Sequence, residues 1–353
     1  MSIKMAMETL QTVVPGLMAT AVIPGVSIAI VHGEEIWPKQ WGVINASTNQ
    51  PVTAQTIFQA ASLSKPVFAY AVLQLVTAGH LDLDTPLITY LPSSLQNEDP
   101  LFGHIVNEPN LCQITTRHVL SHTPGFPNWA KEGEKLQTNF TPGTRFSYSG
   151  EGYHYLQRVL ERLVSQAAHT WIRPTLHTSL NMAQASFTVT NEDATRTDIA
   201  RGHDKAGQAA DFWEMAQMGA AYSLHCTAVA YAHFLQVMLR PSPVTTLMLT
   251  PQVQVNSSHA GQDDWPDLNA AADPQVSWGL GWGLQSGENG RFFWQWGDNG
   301  VFKAFAAGHV VSETAVVILV NSQNGDALWR PILKTTFDTD DWPALDWLKR
   351  TFG

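Results

Sequence analysis

A long apolar segment that opens with a polar pair is the feature that most constrains this chain. Residues 65–78 are apolar on nearly every side, which predicts a helix buried inside the fold. Pro66 suits a first helical turn, and Gly79 suits a helix end. Ser62 and Lys65 stand three residues apart at the helix start, so helical geometry places both on one face. Because burial favours a neutral lysine, Lys65 is predicted to accept protons beside a serine hydroxyl.

This pair is weak evidence when it is taken alone, because chance supplies about one such spacing in a chain of this size. No other lysine here has a serine three residues before it, and this lysine opens a long apolar helix. The spacing is that of the S-x-x-K nucleophile motif. The rest of the chain has to decide between a catalytic pair and a coincidence.

Composition limits the class of protein. The chain has 353 residues, 44% hydrophobic and 14% charged, which is enough for one large core or two lobes. A formal net charge of −10 and the lack of a Lys/Arg run argue against a nucleic-acid partner. Cys112 and Cys226 are too few for a disulfide scaffold or a zinc cluster, and two free thiols are favoured over one bridge.

No targeting or membrane segment is predicted. The apolar run 17–31 is broken by a Pro-Gly pair at 24–25, so it does not reach the length of a membrane span. A signal peptide is disfavoured because Glu8 and Pro15 interrupt the apolar stretch that follows Lys4. A cytoplasmic location is favoured, although the sequence leaves the compartment open.

Strand patterns occur at both ends of the chain, with helical patterns between them. The predicted strands are 25–31, 36–43, 276–285, 291–296, 301–307 and 315–320. This order predicts an α+β fold, with one antiparallel sheet built from both termini, flanked by helices, and an inserted, mostly helical lobe. We expect a single domain over 1–353, with an α/β lobe at about 1–62 and 275–353 and a helical lobe at about 63–274.

Four other segments carry candidate residues. His118 and His122 have no acidic or thiol partner at metal-ligand spacing, so structural histidines are predicted and no metal. Tyr148 precedes a predicted helix, where it either acts as a base beside a buried ammonium or caps the core. Residues 278–283 are predicted to form a strand interrupted by glycines, and 293–300 a strand end with N–H groups facing a ligand.

Taken together in order, these motifs resemble the β-lactamase-related serine hydrolases. That group contains class C β-lactamases, family VIII carboxylesterases, DD-peptidases and D-aminopeptidases. The resemblance runs from about residue 20 to about residue 325. It is carried by Phe58-Gln59-Ala60-Ala61-Ser62-Leu63-Ser64-Lys65, Leu81-Asp82-Leu83-Asp84, the segment from Ile114 to Gly125, Pro142-Gly143-Thr144-Arg145-Phe146-Ser147-Tyr148-Ser149 and Trp278-Gly279-Leu280-Gly281-Trp282.

The resemblance implies a β-lactamase/transpeptidase-like fold and a role for each matching residue. Ser62 would be the acylated nucleophile, and Lys65 would keep the local charge and assist its deprotonation. Tyr148 would act as general base and then as acid to the leaving group. The backbone N–H groups of Ser62 and Asn299 would form the oxyanion hole.

Two departures bear on the substrate. The motif Tyr148-Ser149-Gly150 lacks the asparagine that grips an amide side chain in relatives. Trp296-Gly297-Asp298 stands where class C enzymes have K-T-G, and a tryptophan here is typical of family VIII esterases. These three residues are therefore predicted to bind substrate. Asp298 either repels anionic substrates or caps the turn that follows it.

The predicted function is that of a serine hydrolase with an acyl-serine intermediate, acting as a carboxylesterase on small esters. The alternative is a D-aminopeptidase or DD-peptidase, or a weak class C-like β-lactamase. A non-catalytic binder on the same fold is disfavoured because Ser62, Lys65 and Tyr148 occur together. A small ester or amide is the expected partner, with no cofactor, and the oligomeric state is left open.

Overall fold

The computed structural model describes residues 2–94, 104–105, 107–131, 135–256 and 271–352 of the chain. Within these ranges the helices are α1 (Ile3–Ala21), α2 (Ser64–Thr77), α3 (Thr116–Leu120), α4 (Gly150–Leu163), α5 (Ala168–Pro174), α6 (Ala228–Leu239), α7 (Pro243–Leu249), α8 (Trp329–Phe337) and α9 (Pro343–Phe352). The strands are β1 (Gly25–His32), β2 (Glu35–Asn45), β3 (Gln50–Pro51), β4 (Phe58–Ala61), β5 (Leu224–Cys226), β6 (Val253–Asn256), β7 (Ala272–Trp278), β8 (Gly283–Gly287), β9 (Gly290–Asp298), β10 (Lys303–His309) and β11 (Thr314–Val320).

The chain forms two compact units that alternate along the sequence. The first comprises Met1–Ser64, Ile172–Pro241 and Ser286–Trp342, and the second comprises Lys65–Trp171, Ser242–Gln285 and Pro343–Gly353. The single-domain organisation expected from the sequence stays a prediction.

An antiparallel sheet organises the first unit. Its strands follow the order β3-β2-β1-β11-β10-β9 within this unit. Strand β1 pairs with β11 from Val26 opposite Val320 to His32 opposite Thr314. Nearly all residues of both strands are buried, which their apolar and largely β-branched sequences explain. The prediction that strands from both ends of the chain pair is therefore confirmed.

Helices cover this sheet within the first unit. Helix α6 packs against β1 and β11, and α8 packs against β11 and α1. A second, two-stranded sheet joins β4 to β5, with Phe58 opposite Cys226 and Ala61 opposite Leu224. Strand β4 leads directly into the turn that carries Ser62.

Helix α2 is the buried helix that the sequence predicts. Every residue from 64 to 73 is buried, and the last turn becomes partly exposed. Gly79 follows the helix with a φ of 76°, and the His80 N–H donates to the Leu75 carbonyl at 2.9 Å, which satisfies a carbonyl of the last turn.

A turn, rather than a continuous strand, occupies residues 279–282 of the second unit. The prediction of one strand over 276–285 is wrong, because β7 and β8 form a hairpin with Trp278 opposite Gly283. Gly281, with a φ of 94°, donates its N–H to the Leu120 carbonyl at 2.9 Å. A Cβ atom on Gly281 would lie 2.4 Å from the Ala69 Cβ, so only glycine lets this turn pack against α2.

Candidate active site

The candidate nucleophile Ser62 lies in a tight turn between β4 and α2. The Leu63 N–H donates to the Ala60 carbonyl at 3.0 Å and closes this turn. Ala61 has a φ of 48°, in the left-handed region that alanine rarely enters, at a cost of about 1–2 kcal/mol. The helix begins at Ser64 rather than at Ser62, so the candidate nucleophile belongs to a strained turn and not to the helix.

The neighbouring Ser64 has a structural role that distinguishes it from Ser62. Its hydroxyl donates to the Ala61 carbonyl at 2.6 Å and accepts the Leu224 N–H at 2.9 Å. These bonds hold β5 against the turn. Ser64 is fully buried, whereas Ser62 is 8% exposed, so Ser62 is the serine with access to solvent.

Gly297 allows strand β9 to approach the turn closely. A Cβ atom on this residue would lie 2.6 Å from the Ala60 carbonyl oxygen and 3.0 Å from the Ala61 Cβ. Any side chain would therefore push the two segments apart. Backbone packing next to Ser62 therefore requires a glycine at this position, and the predicted role of Gly297 in binding substrate stays a prediction.

Asn299 does not have the free backbone N–H that the predicted oxyanion hole requires. Its N–H donates to the Phe302 carbonyl at 3.1 Å inside the β9–β10 hairpin. Its side-chain amide donates to Gln59 Oε1 at 2.9 Å and to the Tyr222 carbonyl at 3.3 Å. Because hydrogen-bonded pairs alternate along an antiparallel ladder, the N–H of Asp298 points away from β10. The prediction for Asn299 is corrected accordingly.

Asp298 caps the turn and forms an ion pair. One of its carboxylate oxygens accepts the Gly300 N–H at 2.8 Å, which is the turn-capping alternative left open by the sequence. The carboxylate also pairs with Lys303, its cross-strand neighbour, and the side chains are 48% and 13% exposed respectively. The predicted repulsion of anionic substrates by Asp298 is weakened, because Lys303 compensates the charge.

Trp296 lies two residues earlier on the same strand. Its side chain is buried, its ring centroid lies 6.0 Å from that of Trp294, and it stands opposite Phe305 in β10. The position for which the resemblance predicts a lysine in β-lactam-cleaving relatives is thus apolar and packed in this unit.

Lys65, the second residue of α2, is fully buried in the second unit. Burial lowers the pKa of its amine from 10.5 to about 7. The Nζ atom lies 4.8 Å from the ring centroid of Tyr148 and 5.7 Å from that of Tyr153. Near neutral pH, this amine therefore exchanges a proton readily beside two aromatic faces.

Tyr148 is fixed at the start of α4. The next residue, Ser149, is the N-cap of that helix, and its hydroxyl accepts the Gly152 N–H at 3.0 Å and donates to the Pro127 carbonyl at 2.8 Å. The Tyr148 ring is buried and packs edge-on against Trp278, with centroids 5.8 Å apart. The structure therefore brings Lys65 and Tyr148 together, as the base hypothesis requires.

The two histidines have different environments. His118 is half-buried and accepts the Thr115 N–H on Nδ1 at 3.3 Å, completing a capping box at the start of α3. His122 is fully buried, and its Nδ1 accepts the Ser149 N–H at 3.0 Å. Its ring lies over that of Tyr148, with centroids 4.3 Å apart. The described part of the chain holds no group of three or more side chains suited to a metal ion.

A comparison with protein families decides the class. A family model described as Beta-lactamase matches residues 10–335. The chain belongs to the β-lactamase family. It is a serine hydrolase of this family, as the sequence predicted.

Several known proteins are similar to the chain, over different lengths. It is 28% identical to Penicillin-binding protein 4 of Amycolatopsis lactamdurans over 289 residues, which is 74% of this chain and 71% of the relative. It is 32% identical to Esterase EstB of Burkholderia gladioli over 111 residues, 31% of this chain and 26% of that protein. A β-lactamase/D-alanine carboxypeptidase structure from Pseudomonas syringae superposes with a TM-score of 0.75 at 17% identity, covering 95% and 99% of the two chains. The predicted β-lactamase/transpeptidase-like fold is thereby confirmed.

Sequence reasoning missed one residue of this β-lactamase-family site. His122 was predicted to be a structural histidine, but its contact with Tyr148 joins segments 26 positions apart, and no local sequence pattern predicts such a contact.

Among the described helices, none is both long and apolar enough to cross a membrane.

Proposed function

We propose that this protein is a carboxylesterase that cleaves small esters through an acyl-Ser62 intermediate. The observation that carries the proposal is the fully buried Lys65, three residues after Ser62, with its amine over the ring of Tyr148. A buried amine with a pKa of about 7 both accepts protons and stabilises a neighbouring phenolate.

Acylation begins when the Ser62 hydroxyl attacks the ester carbonyl carbon. Tyr148, with its proton drawn towards Lys65, takes the serine proton as the new C–O bond forms. When the tetrahedral intermediate collapses, Tyr148 returns this proton to the departing alcohol. Water then attacks acyl-Ser62 by the same route, and the acid product leaves with Ser62 restored. Atoms and charges balance without a metal or cofactor.

The oxyanion would be stabilised by two backbone N–H groups of the first unit. One belongs to Ser62, in the strained turn after Ala61. For the other we assign Asp298 instead of Asn299, because the Asp298 N–H points away from β10 while the Asn299 N–H is used in the hairpin. Gly297 supports this assignment by allowing β9 to approach Ala60 closely.

Small neutral esters are proposed as substrates because the chain lacks two groups that suit amide or β-lactam substrates. Trp296 is apolar and buried, so it offers no cation to a substrate carboxylate. Gly150 takes the place of the asparagine amide that would hold a substrate amide. A D-aminopeptidase or DD-peptidase, or a weak β-lactamase, is the second candidate. It is favoured by the similarity to a protein named Penicillin-binding protein 4 over 74% of this chain.

Intact-mass spectrometry with a fluorophosphonate, and separately with a penicillin, tests nucleophile and substrate class together. We expect rapid single labelling by the fluorophosphonate, slow or no labelling by penicillin, and turnover of p-nitrophenyl esters. Ser62→Ala should abolish labelling and turnover. Ser64→Ala should remain labelled, although it removes two structural hydrogen bonds. A fully active, labelled Ser62→Ala protein would contradict the proposal, and faster acylation by penicillin would favour the second candidate.

A further inference from the structure

One buried histidine holds the backbone on both sides of Tyr148. The His122 carbonyl accepts the Ser147 N–H at 2.7 Å, and its Nδ1 accepts the Ser149 N–H at 3.0 Å. Between these two bonds, the imidazole lies 4.3 Å from the Tyr148 ring, centroid to centroid, at an interplanar angle of 31°. His122 thus restrains Tyr148 in three ways. It binds the backbone of the preceding residue, binds the backbone of the following residue and packs against one face of the tyrosine ring.

The backbone of His122 is itself in an unfavourable conformation. Its φ is 56°, in the left-handed region, where histidine is uncommon. The His122 N–H donates to the Val119 carbonyl at 3.1 Å and the Thr123 N–H to the His118 carbonyl at 2.8 Å, so the turn after α3 is closed on both sides of it. This conformation is the one in which the carbonyl and the ring both reach the segment 147–149.

The hydrogen bonds of His122 also define its tautomer. Because Nδ1 accepts an N–H, a neutral ring carries its proton on Nε2. Nε2 has no hydrogen-bond partner among the residues that the structure describes, although it is buried. Burial and the nearby Lys65 both lower the pKa of His122 well below its usual value, which keeps the ring neutral and Nδ1 available as an acceptor.

We propose that His122 is a positioning residue that holds Tyr148 in its proton-transfer geometry. The inference rests on the proposed function, in which Tyr148 carries the proton. His122 acts through the Ser149 N–H and the ring face of Tyr148, and it need not touch the substrate. Small displacements of a catalytic group lower the rate of the chemical step, so the effect belongs to kcat.

Two amide substitutions separate this role from simple packing. In His122→Asn, the amide oxygen lies as many bonds from Cβ as Nδ1 does, so it can accept the Ser149 N–H, and asparagine tolerates a positive φ. In His122→Gln, the oxygen lies one bond further out and cannot replace Nδ1. We expect kcat for a p-nitrophenyl ester to fall about 10- to 100-fold in the glutamine variant and less than about fivefold in the asparagine variant. KM should stay within about threefold in both.

His118 provides the matched control. It lies one turn earlier, and its Nδ1 also accepts a backbone N–H, that of Thr115. The histidine ring in contact with Tyr148 is that of His122, with centroids 4.3 Å apart. His118→Gln should lower the melting temperature while leaving kcat unchanged. If His122→Gln does not fold, His122→Ala removes the same acceptor and takes its place in the comparison.

A double-mutant cycle with Tyr148→Phe completes the test. If His122 acts by positioning the Tyr148 hydroxyl, His122→Gln should lower kcat less than about twofold in the Tyr148→Phe background. Equal losses in the asparagine and glutamine variants, or a full 10- to 100-fold loss in both backgrounds, would overturn the positioning role. Failure of the proposed function is distinguishable, because Tyr148→Phe would then keep the full rate before His122 is altered.

Discussion

Replacing Lys65 with methionine should abolish esterase activity and make the folded protein more stable at neutral pH. Burial lowers the pKa of Lys65 from 10.5 to about 7, so the folded state binds the lysine proton more weakly than the unfolded chain does. At about 1.4 kcal/mol per pKa unit, this difference destabilises the fold by about 4–5 kcal/mol below pH 7. Methionine has a similar length and no charge, so part of this free energy should be recovered. The amine also packs over the rings of Tyr148 and Tyr153. Losing that packing will offset the part of the free energy that is not recovered.

The pH dependence gives this prediction a distinctive sign. The folded pKa of Lys65 is depressed, so between about pH 7 and 10.5 the unfolded chain holds a proton that the folded protein has released. Stability due to Lys65 therefore rises with pH in this window, and the penalty is fully present only below it. Integrated from pH 7 to 9, the rise is about 2 kcal/mol. Other titrating groups are common to both proteins and cancel in the difference.

Urea unfolding of wild type and Lys65→Met at pH 7, 8 and 9 measures this difference. The advantage of the methionine variant should shrink by about 2 kcal/mol between pH 7 and 9. Lys349→Met, at an exposed position in α9, is the matched control and should show no such trend. A difference between wild type and Lys65→Met that does not vary with pH would refute the assignment of a buried amine with a lowered pKa.

Three further predictions concern Tyr148 and strand β9. Tyr148→Phe should lower kcat and kcat/KM by about 10²- to 10⁴-fold in a folded protein, and an unchanged rate would move the base role to Lys65 alone. Gly297→Ala should lower kcat at least about tenfold and reduce the melting temperature, because its Cβ would lie 2.6 Å from the Ala60 carbonyl oxygen. Gly16→Ala in α1 is the control, because no atom lies within 4 Å of the added Cβ. This variant should keep full activity and gain about 0.5–1 kcal/mol in stability. Equal behaviour of the two glycine variants would contradict the argument that β9 must approach Ala60 closely. Asp298→Asn should leave Lys303 without its carboxylate partner, and so improve kcat/KM for a penicillin more than for a neutral ester or a D-alanine anilide. Equal proportional changes in kcat/KM for all three substrates would show that this ion pair does not select substrates by charge.

Sequence patterns predicted the parts of the fold that depend on local periodicity. Strands β1 and β11 are short, apolar and β-branched, and they lie within one or two residues of their predicted positions. Helix α2 was recognisable because its apolar residues cover every side and Gly79 follows it. In each case, burial on more than one side requires apolar residues throughout the element, so the element's own sequence is enough to predict it.

Features that depend on pairing between distant segments were not predictable. The segment 279–282 has the apolar composition of a strand, and only its packing against α2 explains why it turns at Gly281. The direction of the Asn299 N–H depends on hairpin register, which a one-residue shift reverses. The bond from the Ser149 N–H to His122 joins residues 27 positions apart. Long-range register and contacts thus account for the corrections.

Three residues next to the candidate catalytic groups break local structural rules. Ala61 has a positive φ immediately before Ser62, and His122 has one beneath the ring of Tyr148. Lys65 is a fully buried amine in an apolar helix. Each feature lowers the stability of the fold by an amount on the order of 1 to several kcal/mol. A glycine in place of Ala61, or a methionine in place of Lys65, would remove the corresponding cost.

The properties of these three residues distinguish a catalyst from a scaffold that only binds ligands. A binding pocket gains nothing from an amine whose pKa is lowered to about 7, because a ligand contact requires a fixed charge and not an exchangeable proton. Proton transfer requires that property, together with a rigidly held phenol and a serine in a strained turn. The energetic cost of Lys65, together with the three contacts by which His122 restrains Tyr148 and its neighbours, therefore favours acyl-transfer chemistry over simple binding.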